Sequence, residues 1–255
     1  VSARMHSLVS IVTPAYNSRG FLSHTIESVR HQTYPYWEML VVDDGSTDET
    51  PALLKNYAQL DRRIRYYALD KNSGTAAART KGMALAAGRY IAFLDSDDLW
   101  AENKLEKQVS FMERTGVAFT CTSYEKMDEG GSPTGKVVRA REKMSYDDLL
   151  LHGPVGNSSV MYDALSLGKF IVPDIRKRND YALWLQILKK EKFIYGMPDV
   201  LMQYRVRPGS LSSNKLALVR HYWTVYRDLE HLSVYRSVSL IAHLFFIKML
   251  SCLYR

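Results

Sequence analysis

An α/β fold, built on a mostly parallel sheet flanked by helices and followed by a helical appendage, is the expectation from three observations. Short apolar runs of β-type residues alternate with helical patterns through the first half of the 255-residue chain, which is the signature of βαβ units. Two of these runs stop abruptly in carboxylates, Asp43-Asp44 and Asp95-Ser96-Asp97-Asp98. Beyond Asn214 the strand patterns end and helical periodicity takes over.

Leu8–Thr13 is a short apolar run stopped by Pro14, and Leu22, Ile26 and Val29 then recur at helical spacing between Phe21 and Thr33. Trp37–Val42 is the second strand. Ser46 and Glu49 have the spacing of a capping box for a helix with Pro51 in its first turn. Ile64–Leu69 is the third strand, Thr75–Ala87 an Ala-rich helix with Gly88 as its terminator, and Tyr90–Leu94 the fourth strand. A helix carrying Leu105, Val109 and Met112 ends at Gly116, and Val117–Ser123 follows as a strand. The rhythm then breaks. Gly130–Gly135 marks a hairpin tip, Ser145 can cap a short helix through Leu151, and Ser158–Tyr162 reads as a strand. Asp180–Lys190 has helical pairs of apolar residues, and Phe193–Tyr195 and Val200–Val206 read as two more strands.

Composition is that of a globular protein: 46% hydrophobic and 24% charged residues. Cys121 and Cys252 lie on unrelated segments without metal-ligand or redox spacing, and both are expected to be reduced thiols. No signal-peptide hydrophobic stretch follows Val1, so a cytoplasmic protein is expected. The net charge of +7 is concentrated in the last third of the chain, beside apolar helical patterns and not in a nucleic-acid motif. It therefore favours phosphate-bearing substrates or the inner face of a membrane over nucleic acid. In the last helical segment Val238, Leu240, Ile241, Leu244, Phe245, Phe246, Ile247, Met249, Leu250 and Leu253 form a wide apolar face. His243 and Lys248 interrupt it too soon for a membrane span. Packing on the core, a homodimer seam and insertion into a membrane interface all remain open.

The candidate chemistry gathers at strand ends, where open α/β sheets bind ligands. Asp95, Asp97 and Asp98 end the fourth strand, and like charges so close need a cation among them. Mg²⁺ or Mn²⁺ suits an all-oxygen donor set, whereas a helix cap would need only one Asp. Pro14, Tyr16 and Asn17 follow the first strand, and Tyr16 can stack on a nucleobase. Asp44 can accept an imino N–H, or it can simply belong to an Asp-Gly turn, the role given to Asp43. Asn72-Ser73-Gly74 opens a helix whose free N–H groups favour anions, with Arg79 one turn inside. No Gly-x-Gly-x-x-Gly follows the first strand and no Walker A motif occurs, which argues against dinucleotide dehydrogenases and P-loop NTPases.

Taken in order, Val9–Asn17, Ser28–Thr33, Val41–Asp48, Asn72–Gly74 with Ala78-Arg79, and Phe93–Asp98 resemble the family 2 inverting glycosyltransferases, whose fold is the Rossmann-like GT-A fold. Asn179–Trp184 and Tyr204-Arg205 followed by Ser210–Lys215 resemble members that build bacterial capsule, teichuronic-type or lipopolysaccharide glycans. The resemblance implies a nucleotide-binding half at residues 1–124, an acceptor-binding half of the same domain at 125–213, and an appendage at 214–255. It assigns Pro14, Tyr16, Asn17, Asp44, Asn72, Arg79 and Asp95 to the nucleotide, Asp97 and Arg207 to the donor sugar and diphosphate, and Asp97 with Asp98 to Mn²⁺ or Mg²⁺. Asp180 becomes the base that deprotonates the acceptor, at a helix start where the dipole favours a carboxylate.

Two positions depart from the family pattern. Asn179 stands where many members place Glu before the base, and Arg207 where some carry a metal-binding His. The implied activity is inverting, metal-dependent transfer of a hexose, with a UDP-sugar favoured as donor, to a glycan or lipid-linked acceptor. A non-catalytic nucleotide-sugar-binding or assembly protein of the same fold is the alternative. A nucleotidyltransferase lacks its Gly-rich loop here.

Overall fold

The computed structural model describes residues 7–207 and 215–253, with side chains left aside at 215–218 and 248–253. The Ser210–Lys215 motif therefore falls almost wholly outside the described residues. The elements run β1 (Val9–Ala15), α1 (Leu22–Arg30), β2 (Trp37–Asp43), α2 (Thr50–Leu60), β3 (Ile64–Ala68), α3 (Thr75–Leu85), β4 (Tyr90–Phe93), β5 (Leu99–Trp100) and α4 (Lys104–Thr115). They continue with β6 (Phe119–Met127), β7 (Pro133–Val138), β8 (Lys143–Met144), α5 (Tyr146–His152), a 3₁₀ turn (Asn157–Ser159), β9 (Met161–Asp163), α6 (Ala164–Leu167), α7 (Asn179–Leu188) and β10 (Ile194–Arg205). α8 (Lys215–Trp223), a wide π-helical turn (Thr224–Leu229) and α9 (Val234–Leu253) complete the described chain.

Ten strands among the described residues form one sheet, whose main path is β3-β2-β1-β4-β9-β6-β10-β5. The first four are parallel, with β1 between β2 and β4. β9 runs antiparallel to both β4 and β6, while β6 and β10 pair in parallel. β1, β2 and β4 are buried along their whole length, as expected of strands covered by helices on both faces. β10 is one strand where the sequence suggests two, because register shifts between Met197 and Met202 interrupt its apolar pattern.

Helix ends explain two further differences. Ser46 does not cap α2: its hydroxyl accepts from Asn17 N at 2.9 Å and donates to Asp43 Oδ1. Gly88 does not terminate α3, whose cap is Ala86; a Cβ at 88 would lie 2.6 Å from Leu8 O and 2.7 Å from Ser10 N, so glycine permits close passage beside β1. Ser145 does form the expected cap, as a capping box with Asp148.

α7 is set into the core on almost every side. Tyr181, Ala182, Leu183, Trp184, Leu185 and Ile187 are buried, and Trp184 meets Phe93 edge to face at 5.0 Å. α9 divides its apolar surface in two. Ser237 and Leu240 are buried, with Ile241 and Leu244 packed on the core, whereas Tyr235, Val238, Phe245 and Phe246 are exposed. No helix among the described residues is long and apolar enough to cross a membrane.

Candidate active site

A cleft of about 590 Å³ opens beside the carboxyl ends of β1, β2 and β4. Pro14, Tyr16, Asp44, Arg79, Asp95, Asp97, Asp180 and Arg207 all line it, although they come from widely separated segments. Tyr16 is 47% exposed, with its ring free to meet a ligand. Asp44 is nearly buried, and its two oxygens accept from Ser73 N at 2.6 Å and Gly74 N at 2.8 Å. The loop before α3 thus orients Asp44, and each oxygen keeps a lone pair for a donor in the cleft.

Asn17 and Asn72, expected at the nucleotide, do not line the cleft. Asn17 lies in the left-handed region, φ 45°, and its Oδ1 accepts from Thr47 N at 2.8 Å. It fastens the β1 loop to the β2 loop. Asn72 is exposed, and its backbone N passes so near Gly45 that a Cβ there would lie 2.8 Å away.

Arg79 is buried and bonds Asp95 Oδ1 at 2.7 Å and Asn179 Oδ1. Asn157 Nδ2 reaches the same Asp95 oxygen at 2.9 Å. The Asn179 that replaces the family's Glu is therefore a neutral partner for Arg79, held in turn by Ile175 O at 3.3 Å. Two buried polar atoms of this group, Arg79 Nε and Asn157 Oδ1, lack a hydrogen-bond partner among the described residues.

The acidic residues separate into two roles. Asp97 fronts the cleft with its side chain 19% exposed and pairs with Arg207 Nη2 at 2.7 Å. Burial raises its pKa first and repulsion from Asp95 second, against the lowering pull of Arg207 and Arg205. Asp98 is 1% exposed and does not line the cleft. It accepts from Ser158 Oγ at 2.6 Å and Arg205 N at 3.0 Å. Burial, then the charges of Asp97 and Asp95, raise its pKa well above the ordinary carboxylate value. Asp98 was expected beside Asp97 as a metal ligand; here its oxygens latch the acidic loop to β10 and to the 3₁₀ turn.

That turn, read in the sequence as a strand start, organises much of the site. Ser158 Oγ also accepts from Asp95 N at 3.0 Å, and Ser158 O accepts from Trp100 Nε1 at 2.7 Å. Its only sequence signal is the polar run Gly156–Ser159 ahead of an apolar strand. Tyr124, Tyr204 and the basic run Arg176-Lys177-Arg178 are further lining residues that sequence reading did not single out as site residues. Asp180 lies in the first turn of α7, directly after that basic run, and faces the same cleft.

Carboxylate oxygens of Asp95 and Asp97 make a hard donor set, but no group of three or more His, Cys, Asp or Glu suited to a metal occurs among the described residues. The arrangement still fits Mg²⁺ or Mn²⁺, which can be held by one or two carboxylates with substrate phosphates and water completing the shell.

Comparison with known proteins agrees with this geometry. The family described as Glycosyl transferase family 2 matches residues 10–171. A Bacillus subtilis protein named putative teichuronic acid biosynthesis glycosyltransferase TuaG is 45% identical over 225 residues, covering 88% of this chain and 89% of its own. An Escherichia coli protein named UDP-Glc:alpha-D-GlcNAc-diphosphoundecaprenol beta-1,3-glucosyltransferase WfgD is 39% identical over 222 residues, 87% of this chain and 86% of its own. Among solved structures, S. aureus TarS 1-349 in complex with UDP superposes with a TM-score of 0.70 at 18% identity, over 93% of this chain and 70% of that one. The mannosyltransferase PcManGT from Pyrobaculum calidifontis, in complex with GDP-Man and Mn²⁺, gives 0.64 at 19% identity, over 88% and 65%. The sheet order, the strand-end carboxylates and these matches together make the chain a member of glycosyl transferase family 2 with a GT-A fold.

Proposed function

We propose that the protein transfers a hexose from a nucleotide diphosphate sugar, with a UDP-sugar favoured, to a glycan or lipid-linked acceptor in bacterial surface polysaccharide synthesis, inverting the anomeric centre. The observation that carries this reading is that Asp95, Asp97 and Asp180 open into one cleft. The names of TuaG and WfgD and the UDP complex of TarS support it.

Tyr16 stacks on the base, Asp44 accepts its imino N–H, and Arg79 holds Asp95 in place for the ribose and sugar. Asp97, with the free oxygen of Asp95, holds Mn²⁺ or Mg²⁺, which when bound offsets charge on the leaving diphosphate. Arg207 contacts that diphosphate as a fixed cation. Asp180 takes the proton of the acceptor hydroxyl, which attacks the anomeric carbon from the face opposite the leaving nucleotide. Burial of α7 holds this carboxylate in a fixed place, as in-line attack requires. The exposed stripe of Tyr235, Val238, Phe245 and Phe246 faces the inner leaflet of the membrane. A homodimer on the same stripe is distinguished by concentration-dependent sedimentation.

Incubation with UDP-, GDP- and dTDP-hexoses, Mn²⁺ and a lipid-linked sugar tests the reading. Transfer from a UDP-hexose with inversion of the anomeric proton coupling is expected. Retention of the donor configuration, or nucleotide release without transfer to any acceptor, sinks it.

A further inference from the structure

Arg176, Lys177 and Arg178 are three consecutive cations lining the cleft immediately before Asn179 and Asp180. Arg176 is exposed and the other two are half-buried. Arg178 adopts φ 65°, a left-handed conformation that costs a non-glycine residue about 1–3 kcal/mol. Its guanidinium lies 5.0 Å from the ring centroid of Tyr222 on α8, so the basic loop is anchored in this conformation. α8 adds Arg220 to the cluster. His221 registers the accumulated charge: burial first, then Lys177, Arg178, Arg220 and Arg176, push its pKa below the usual value.

The other arginines of the cleft are engaged. Arg79 holds Asp95 and Asn179, Arg205 donates to the carbonyls of Asp97 and Glu129, and Arg207 pairs with Asp97. By contrast, among the described residues no ion pair joins Arg176, Lys177, Arg178 or Arg220 to a carboxylate. Three like charges on one rim repel one another unless an anion joins them. The donor's diphosphate is matched by Asp97, its cation and Arg207, which leaves the second basic group for a second anion.

We propose that Arg176, Lys177 and Arg178 form a subsite for a phosphate or diphosphate carried by the acceptor. This rests on the transferase reading and deepens it. Because the basic run is contiguous with Asp180, the phosphate lies close to the hydroxyl that is deprotonated, so it is attached to the accepting sugar itself. Guanidinium forks match phosphate oxygens in pairs and discriminate such an acceptor from a neutral glycoside. The phosphate belongs either to a lipid diphosphate sugar or to a free sugar phosphate.

The experiment compares three acceptors with the same terminal sugar: a short-chain alkyl diphosphate, the sugar 1-phosphate and a neutral alkyl glycoside. Wild-type protein is expected to favour the phosphate-bearing acceptors in kcat/KM by about tenfold or more, the effect of one charge-assisted hydrogen bond. The double variant Arg176→Gln, Lys177→Gln leaves the strained Arg178 untouched and is expected to lose most of that preference, while Arg176→Lys, Lys177→Arg restores it. A larger kcat/KM for the alkyl diphosphate than for the sugar 1-phosphate assigns the phosphate to a lipid carrier; the reverse assigns it to a soluble sugar phosphate. An unchanged preference in the Gln variant, or an equal rise in KM for the UDP-hexose, overturns the proposal. So does an intact preference with lost binding to phosphatidylglycerol vesicles, which gives these cations to the membrane. Transfer that ignores the acceptor's phosphate defeats this subsite alone, whereas no transfer with any donor and acceptor defeats the reading beneath it.

Discussion

Along the ends of β1, β2 and β4 each carboxylate is already fastened: Asp44 to two backbone N–H groups, Asp95 to Arg79 and Asn157, Asp98 to Ser158 and Arg205. The stretch that enters α7 carries its cations without ion pairs among the described residues, in a loop where strained Arg178 rests on one aromatic face. The difference teaches where preorganisation is concentrated. On the proposed reading, the donor side is fixed before any ligand arrives, and the acceptor side keeps its charge available for the ligand to neutralise.

Asp180→Asn breaks this comparison most severely. Removing the base is expected to lower kcat by about 10²–10⁴-fold, while calorimetry shows nucleotide-sugar binding retained, because the donor side is intact. Full transferase activity in this variant would remove Asp180 from the mechanism. Asp98→Ala is next. It leaves a buried hydroxyl and a backbone N–H without their acceptor, at about 1–3 kcal/mol each, and thermal melting should fall by about 2–4 °C per kcal/mol. If metal affinity falls with no change in melting, Asp98 is a ligand and not a latch. Arg207→Ala should weaken nucleotide-sugar binding about fivefold, a modest effect because Arg207 is 40% exposed and partly screened. Unchanged affinity by calorimetry would free Arg207 from that role.

The smallest effect concerns Lys104 in α4, a buried cation with no ion pair among the described residues. Lys104 is fully buried, donates to Gln108 Oε1 at 2.7 Å and lies 4.0 Å from the Trp100 ring. Burial pushes its pKa down to about 7. Between that value and the ordinary lysine value the unfolded chain binds more protons than the folded one, so stability rises with pH across this window. The melting-temperature difference between wild type and Lys104→Met should therefore grow in favour of wild type from pH 7 to pH 10. A flat difference would mean that Lys104 keeps its charge when buried.

The parallel half of the fold was legible because β1, β2 and β4 are covered on both faces, and full burial writes itself as continuous apolar runs. β10 was not, since a bulged strand interrupts its own pattern. Tyr16, Asp44, Arg79, Asp95 and Asp97 stand at strand ends and a helix start that the sequence marks, whereas Asp180 was reached only through the resemblance to the family. Asn17 sits at an equally marked position but turns into a loop contact, a choice made by neighbours distant in sequence. Asp98 looks no different from Asp97 until Ser158 and Arg205 arrive. The basic loop carries no local signal, because charge becomes a site only where the fold leaves it unpaired.

The Asp98 latch also sets an order of events during synthesis. Its two partners follow it by 60 and 107 residues. A nascent chain that has emerged from the ribosome only as far as α7 holds the residues of β1–β4 and Asp180, yet cannot fasten its acidic loop to β10. Loop closure over such a separation is slow relative to the local βαβ contacts. On the transferase reading, a chain stopped before Arg205 is expected to lack the Asp98 latch and to bind the donor more weakly.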